Sequence, residues 1–221
     1  MRVNLSQNGN ALIYVLIAIV LFAALGFTLT RQVQNTGTRE IDRAEIDLYA
    51  LQLITYSAQA TSSIEQMRFS GSDADDLIFV QPAESGYSSA PHIHKVFHPQ
   101  GGGLNPQTLP ADTVLQVAAT PPAGWYLGRF NNVEWTPTNA QDVILSAYQI
   151  SRPLCETINQ RITGNTSIPA LSGSMSTFLV DSGTNSDLNI ANCAACEGYV
   201  SLCVSNDVQT SYSFYTIIES R

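Results

Sequence analysis

The stretch NGNALIYVLIAIVLFAALGFTLTRQ, residues 8–32, decides the fold, because its residues 11–29 include no charged side chain and no proline. As an α-helix these residues extend roughly 28 Å, close to the hydrocarbon thickness of a bilayer. A secretory signal has a shorter apolar core, about 7 to 15 residues, followed by a small-x-small cleavage site. The sequence TLTR at 28–31 is a poor cleavage site, although Ala23-Ala24 keeps that alternative open. The stretch therefore predicts a helix that spans a membrane once.

Composition and cysteine placement indicate a domain outside the cytoplasm. The chain has 221 residues and a formal net charge of −8, and only 13% of its residues are charged, where about a quarter is usual. Because this balance disfavours non-specific binding to nucleic acid, no nucleic-acid partner is expected. All four cysteines lie beyond residue 150, and a cysteine cluster is most useful where disulfides form. We therefore expect the part after the span in an oxidising compartment.

A second helical pattern follows the span. No proline occurs before Pro82, and small or apolar residues recur between charges at close to helical intervals: Ile41, Ala44, Leu48, Leu51, Ala58 and Met67. Gly71 is a plausible C-terminal stop. Joined to the span, this pattern makes one helix of about sixty residues with a kink or unwound point at NTGT, residues 35–38. Two helices with a juxtamembrane loop are the alternative.

Beyond Gly71, turn-forming residues separate short β-prone runs. A helix is predicted over Tyr148–Ile162, where apolar residues recur every four positions and Pro153 falls near the first turn. A last strand over Ser213–Ile218 should tie the C-terminus into a sheet. The other predicted strands are Leu77–Val80, Ile93–Phe97, Val114–Ala118, Trp125–Phe130, Val143–Ala147, Phe178–Val180 and Tyr199–Val204.

The four cysteines, Cys155, Cys193, Cys196 and Cys203, allow three disulfide pairings. All four together could instead bind zinc, but the paired C-x-x-C knuckles that make such sites specific are missing. A redox role for the C-A-A-C run at 193–196 would need a thioredoxin-type strand and helix, whereas the surrounding sequence is typical of a loop. Structural disulfides are therefore favoured, and these patterns leave their pairing open.

No pattern predicts a catalytic, metal or cofactor site. In PHIHKVFHPQ, residues 91–100, His92 and His94 would share one face of a strand and His98 would follow its end. Without an adjacent carboxylate, they are interpreted as polar positions of an exposed strand rather than metal ligands. The loop Asp181–Asp187 could wrap a hard cation but lacks the EF-hand pattern, so it is interpreted as a solvated turn. Phosphate loops, dinucleotide fingerprints and nucleophile elbows are absent, and the chain is predicted to be non-enzymatic.

Residues 9–17, GNALIYVLI, resemble the leader junction of type IV pilins and of the pseudopilins of type II secretion. Members of that family carry a short leader ending in Gly, followed by Phe-Thr-Leu-Ile-Glu-Leu-Leu-Ile or a close variant. Gly9 matches the residue before the prepilin-peptidase cut. Asn10 replaces the usual Phe or Met at the new N-terminus, and Tyr14 replaces the Glu at the fifth position after the cut. The apolar frame is matched by Leu12, Ile13, Leu16 and Ile17.

The replacement at Tyr14 has a physical consequence. In the family, the Glu is thought to neutralise the terminal ammonium of a neighbouring subunit inside the apolar filament core, where an unpaired charge is costly. A tyrosine offers a hydrogen-bonding hydroxyl but no charge. The chain is similar in this respect to the tip-type minor pseudopilin, which has no neighbour above it. An uncut leader is equally compatible with Tyr14.

The resemblance and the patterns together imply an α+β fold, with a long N-terminal helix, half membrane-spanning and half amphipathic, packed on a β-rich, disulfide-stapled domain. The leader would be 1–9, the helix 10–70 and the extracytoplasmic globular domain 71–221. The implied function is a structural subunit of a type IV pilus-like or pseudopilus filament. Its partners would be the bacterial inner membrane, other pilin-like subunits, the prepilin peptidase and the assembly machinery. The alternative is a permanently anchored periplasmic or surface binding protein.

A narrower resemblance bears on the cysteines. The pattern of Trp125, C(155)ETINQ, C(203)V and the terminal YSFYTIIESR is similar to uncharacterised pilin-like proteins of alphaproteobacteria. In those proteins one cysteine precedes an Ile-Asn on a helix and its mate precedes the last strand. The resemblance implies a Cys155–Cys203 disulfide between helix and strand and a local Cys193–Cys196 staple.

Overall fold

The computed structural model describes residues 10–181, 183 and 185–220, with side chains of the first helix described at 14–23 and from 43 onward. Two compact units are formed, residues 1–45 and 46–221. The helices are α1 (Asn10–Phe69), α2 (Arg152–Thr163) and α3 (Met175–Leu179), with 3-10 turns at Ala111–Thr113 and Ala194–Cys196. The strands are β1 (Gly124–Asn131), β2 (Asp142–Ile150), β3 (Ala170–Leu171), β4 (Ser201–Asn206) and β5 (Tyr212–Glu219).

α1 is one helix, which corresponds to the single-helix alternative rather than to two helices with a loop. α1 ends at Phe69, two residues before the predicted stop at Gly71, whose φ of 98° is in the region that favours glycine. Past this residue the Ser72 amide donates a hydrogen bond to the Met67 carbonyl at 3.1 Å. The second half of α1 belongs to the same compact unit as the sheet.

The five strands form one sheet in the order β1-β2-β5-β4-β3. All neighbours are antiparallel except β3 and β4, so the sheet is mixed. The C-terminal strand β5 lies between β2 and β4, and the predicted attachment of the C-terminus to a sheet is confirmed. The α+β class and the two disulfides of the domain are confirmed as well.

Strand alternation explains where the core lies, because successive side chains of a strand point to opposite faces. One face packs against α1 and α2, and its sheet residues include Val143, Leu145, Ala147, Phe214 and Ile218. The opposite face packs against α3 and the loop around the Cys193–Cys196 turn, through Ile144, Tyr148, Tyr215 and Ile217. Every residue of β2 is buried as a result. α1 contributes a buried stripe at three- and four-residue spacing: Ala50, Leu53, Tyr56, Ala60, Ile64 and Met67.

Several predicted elements were wrong. The runs at 77–80, 93–97 and 114–118 form only isolated bridges, Ile78 with Lys95 and Val114 with Ile150. Instead of entering the sheet, Leu77, Val96 and Phe97 of the first two runs join the buried cluster that contains the α1 side chains of Tyr56, Ala60, Ile64 and Met67. Phe178 and Leu179 belong to α3 rather than to a strand.

The predicted helix at 148–162 begins four residues later, at Arg152. Tyr148 lies opposite Gly124 and Ser213, and Ile150 lies opposite Tyr212, so these residues complete β2. The helix ends at Thr163, one residue beyond the predicted end at Ile162, and is followed by Gly164 in the left-handed region at φ 76°. The four-residue apolar spacing thus continued from a strand into a helix, which is why the boundary was misplaced.

Gly102, in the loop after α1, lies directly against the helix. A Cβ at this position would lie 2.6 Å from Ser63 Oγ, 2.6 Å from the Val96 carbonyl oxygen and 2.7 Å from Met67 Sδ. Because the carbonyl cannot rotate away, Gly102→Ala should lower the free energy of unfolding by about 1–3 kcal/mol. Urea denaturation measures this. The control is Gly124→Ala, whose Cβ would meet only Tyr126 Cε2 at 3.9 Å. Equal losses in the two variants would refute the close-contact explanation.

Candidate functional site

Residues 14–23 of α1 present an apolar surface on all sides of the helix. The ten described side chains at 14–23 cover the full circumference of a helix that turns every 3.6 residues. The large ones are all half exposed or more, from 50% for Ile17 to 77% for Phe22. An apolar surface of this kind is stable only against other apolar groups, because water solvates it poorly. Residues 14–23 are therefore the main candidate for an interaction surface in the N-terminal unit.

The predicted filament-core position, Tyr14, belongs to this surface. Gly9 and the leader at 1–9 are outside the described residues, and Asn10 is the first residue of α1. Tyr14 is 65% exposed and sits among the apolar side chains. Within the part of the chain that the structure describes, no helix has the length and apolarity needed for a membrane span.

The four predicted cysteine positions are brought together in pairs. Cys155 of α2 is bonded to Cys203 of β4 with their Cα atoms 5.4 Å apart, and Cys193 is bonded to Cys196 across a 3-10 turn. All four side chains are buried. Because a disulfide sulfur is no longer a thiolate ligand, this arrangement does not fit the zinc alternative. The two bonds act as structural links, one between helix and sheet and one within a loop.

Asn159 was missed by the sequence reasoning, although it links the same helix and strand as the Cys155–Cys203 bond. Its Oδ1 accepts from the Cys203 amide at 2.8 Å, and its Nδ2 donates to the carbonyls of Cys203 and Ser167, each at 2.8 Å. The side chain is fully buried. Two signals were available: its spacing, four residues after Cys155, which places both on one face of α2, and the Ile-Asn that follows the helical cysteine in the narrower resemblance.

Lys95 is the second residue that the sequence reasoning missed. It is the only lysine of the chain and is just 4% exposed. Its ammonium donates to the carbonyl oxygens of Gly86 at 2.6 Å, Tyr87 at 2.8 Å and Ser89. An ammonium has three N–H donors, and these three bonds use them all. Lys95 thus folds the loop 84–103 around itself and has no donor left for a ligand.

The three histidines occupy turns of this loop instead of one face of a strand. The rings of His92 and His98 are stacked, with centroids 4.0 Å apart and an interplanar angle of 6°. His94 lies apart from the pair, its Nδ1 3.0 Å from Ser72 Oγ. A metal ion binds in the plane of an imidazole, so parallel rings direct their lone pairs side by side rather than toward one ion. Among the described residues, no group of three potential ligands is arranged to hold a metal.

In the loop Asp181–Asp187, the two aspartate side chains accept hydrogen bonds from backbone amides. Asp187 Oδ1 accepts from the Asn132 amide at 3.0 Å, and Asp181 Oδ1 accepts from the Gly183 amide at 3.3 Å. Ser182 and Thr184 are outside the described residues. A cleft of about 770 Å³ adjoins this loop, lined by Ser172, Gly173, Ser174, Thr177, Phe178, Asn185, Ser186, Asp187, Asn189 and Asn192. The side-chain Nδ2 of Asn192 donates to the Ser172 carbonyl at 3.2 Å and helps to hold the wall of this cleft.

The buried phenols of the domain stay neutral at physiological pH. Burial raises the pKa of Tyr56, although a hydrogen bond involving Gln107 works in the opposite direction. Burial likewise raises the pKa of Tyr148 and, most strongly, that of Tyr215. These groups therefore stabilise the core as uncharged hydrogen-bonding aromatics.

In comparisons with protein-family models, with curated protein sequences and with solved structures, the chain has no significant match in any of the three.

Proposed function

We propose that the chain is a structural subunit of a type IV pilus-like or pseudopilus filament, assembled through the N-terminal half of α1. One observation carries the proposal: a helix that exposes apolar side chains all around at 14–23 also packs its other half on a disulfide-stapled domain. The first part needs an apolar environment, and the second part is built for water. A subunit that moves from a bilayer into a filament core has both requirements.

The disulfides support a location for the domain. Both bonds are of the kind that forms and persists in oxidising compartments. We therefore place the domain on the outer side of a bacterial inner membrane, with residues 11–29 crossing that membrane before assembly. The partners in this proposal are other pilin-like subunits, the prepilin peptidase and the assembly machinery.

Processing gives the first test. We expect membrane-extracted protein to begin at Asn10 with a methylated amino group, and intact-mass measurement with N-terminal sequencing reports both. Gly9→Lys should leave Met1 in place, because it changes the residue before the cut. A wild-type chain that retains Met1 would contradict the processing step.

Cross-linking tests assembly itself. Leu16→Cys places a thiol among the exposed apolar side chains of α1, and Asn139→Cys places one on an exposed turn of the domain as a matched control. We expect oxidation in membranes to give covalent multimers more readily through position 16. A cleaved chain that gives no cross-link at position 16 would favour the permanently anchored binding protein instead.

A further inference from the structure

The loop that follows α1 contains all three histidines and the only lysine of the chain. We call residues 84–103 the histidine loop. Its apolar residues Val96 and Phe97 join the cluster formed by Tyr56, Ile64 and Met67 of α1. Ser63 Oγ also donates to the Gly102 carbonyl at 2.8 Å. The loop therefore covers a stretch of α1 that would otherwise expose apolar side chains.

The imidazole of His98 has a ring nitrogen placed to resist protonation. His98 Nδ1 accepts a hydrogen bond from the Gln100 amide at 3.2 Å, which requires the unprotonated nitrogen. Adding a proton to His98 Nδ1 would therefore oppose two N–H groups. The Nδ1 of the stacked His92 is buried and has no hydrogen-bond partner among the described residues.

The Lys95 ammonium also opposes protonation of His98, and the other groups described around the stacked rings carry no charge that would favour it. The ring of Tyr87 lies 5.1 Å from that of His98, and the Lys95 ammonium is held by carbonyls of the same loop. The α1 side chains in contact with Gly102, Ser63 and Met67, carry no charge. His94 contacts Ser72 and lies outside the stack. No carboxylate forms an ion pair with a histidine in the described part of the chain.

We propose that the histidine loop is a pH-sensitive cover on α1 that is closed when His98 is neutral and opens when His98 is protonated. An imidazolium at His98, stacked on the His92 ring at 4.0 Å, would be repelled by the Lys95 ammonium, which makes no ion pair with a carboxylate among the described residues. Opening separates the rings and uncovers α1 around Ser63 and Met67, the two side chains that lie against Gly102. This inference does not depend on the filament proposal, because it concerns only the domain.

The direction of the pH effect follows from linkage. Burial, together with the charges of His92 and Lys95, lowers the pKa of His98 in the closed loop. In the open loop the imidazole returns to its ordinary pKa of about 6.5. The open form therefore binds protons first as the pH falls. The closed loop is fully stable above about pH 6.5, and this stability is lost as the pH falls through the lowered pKa.

Amide hydrogen exchange of the full chain in detergent, at pH 7.5 and pH 5.0, tests the proposal. The reporters are three backbone amides bonded within the histidine loop or to it, each at 3.0 Å. The Val96 amide donates to the Ile78 carbonyl, the Gly102 amide to the Lys95 carbonyl, and the Leu104 amide to the Val96 carbonyl. After correction for intrinsic exchange, opening should increase at pH 5.0, up to the limit of about 30-fold that one imidazole with an open-state pKa near 6.5 sets. The amides of Leu145 and Phe214 in the sheet serve as the reference.

Two variants distinguish titration of the stack from general acid sensitivity. His98→Gln keeps a neutral side chain and should reduce the increase to less than about 3-fold, since the titrating acceptor is gone. His94→Gln is the matched control and should keep the wild-type response. A wild-type profile without pH dependence would overturn the proposal whatever the variants do. Equal loss of the response in both variants would overturn it as well.

Discussion

Replacing both Cys155 and Cys203 by serine is expected to lower the free energy of unfolding by about 4 kcal/mol. The two cysteines are 48 residues apart, so the bond removes a large loop from the conformational freedom of the unfolded chain. In the folded state it joins α2 to β4, and both sulfurs are fully buried. Urea unfolding of the oxidised wild type and of the double variant, followed by circular dichroism, measures the difference.

The Cys193–Cys196 bond is the matched control within the same chain. It closes only three residues, so removing it by the same double replacement should cost about 2 kcal/mol or less. Both double replacements exchange two buried sulfurs for two hydroxyls, so the free-energy cost of burying the new hydroxyls is comparable in the two variants. A larger loss from the short bond than from the long one would show that loop length does not control their contributions.

The regular strands of the domain could be read from local sequence, whereas the apolar runs of the loop could not. In β5, one face of SFYTII joins the α1 side and the other joins the α3 side, as period-two alternation requires. The run IHKVF at 93–97 has the same local character. It forms turns because Lys95 donates hydrogen bonds to three carbonyls and because Val96 and Phe97 join the cluster that includes α1. Contacts made by distant residues decide such cases, and propensity carries no information on them.

The candidate site was predictable to the extent that it rests on covalent chemistry and apolar patterns. The cysteine positions and the apolar circumference of α1 at 14–23 both follow from residue type and spacing. The structural roles of Lys95 and Asn159 did not follow from residue type and spacing, because a buried polar side chain is recognised only by the backbone groups to which it is hydrogen-bonded. Those groups come from separate turns and strands, so their approach is a property of the fold.

Asn159→Ala is expected to lower the free energy of unfolding by about 3–4 kcal/mol, nearly as much as loss of the long disulfide. The change leaves the buried amide and carbonyl of Cys203 without their partner, and the carbonyl of the exposed Ser167 also loses a hydrogen bond. Chemical denaturation gives the value, and Gln160→Ala is the control, since that exposed neighbour makes a single 3.1 Å bond to the Gly164 carbonyl. The control should change stability by about 0.5 kcal/mol or less.

Asn159→Asp separates the acceptor role of the Asn159 side chain from its donor role. A carboxylate can still accept from the Cys203 amide, but it has no N–H for the two carbonyls and places a charge against them. We therefore expect a loss of unfolding free energy at pH 7 at least as large as that of the alanine variant, reduced at low pH where the carboxyl is neutral.

Since Cys155 lies one turn before Asn159 and bonds the same residue of β4, the disulfide and the side-chain amide of Asn159 restrain one contact between helix and sheet. Removing both should therefore cost less than the sum of the separate losses, because whichever link is lost first releases part of what the second holds. Additive losses would show that the two links act independently.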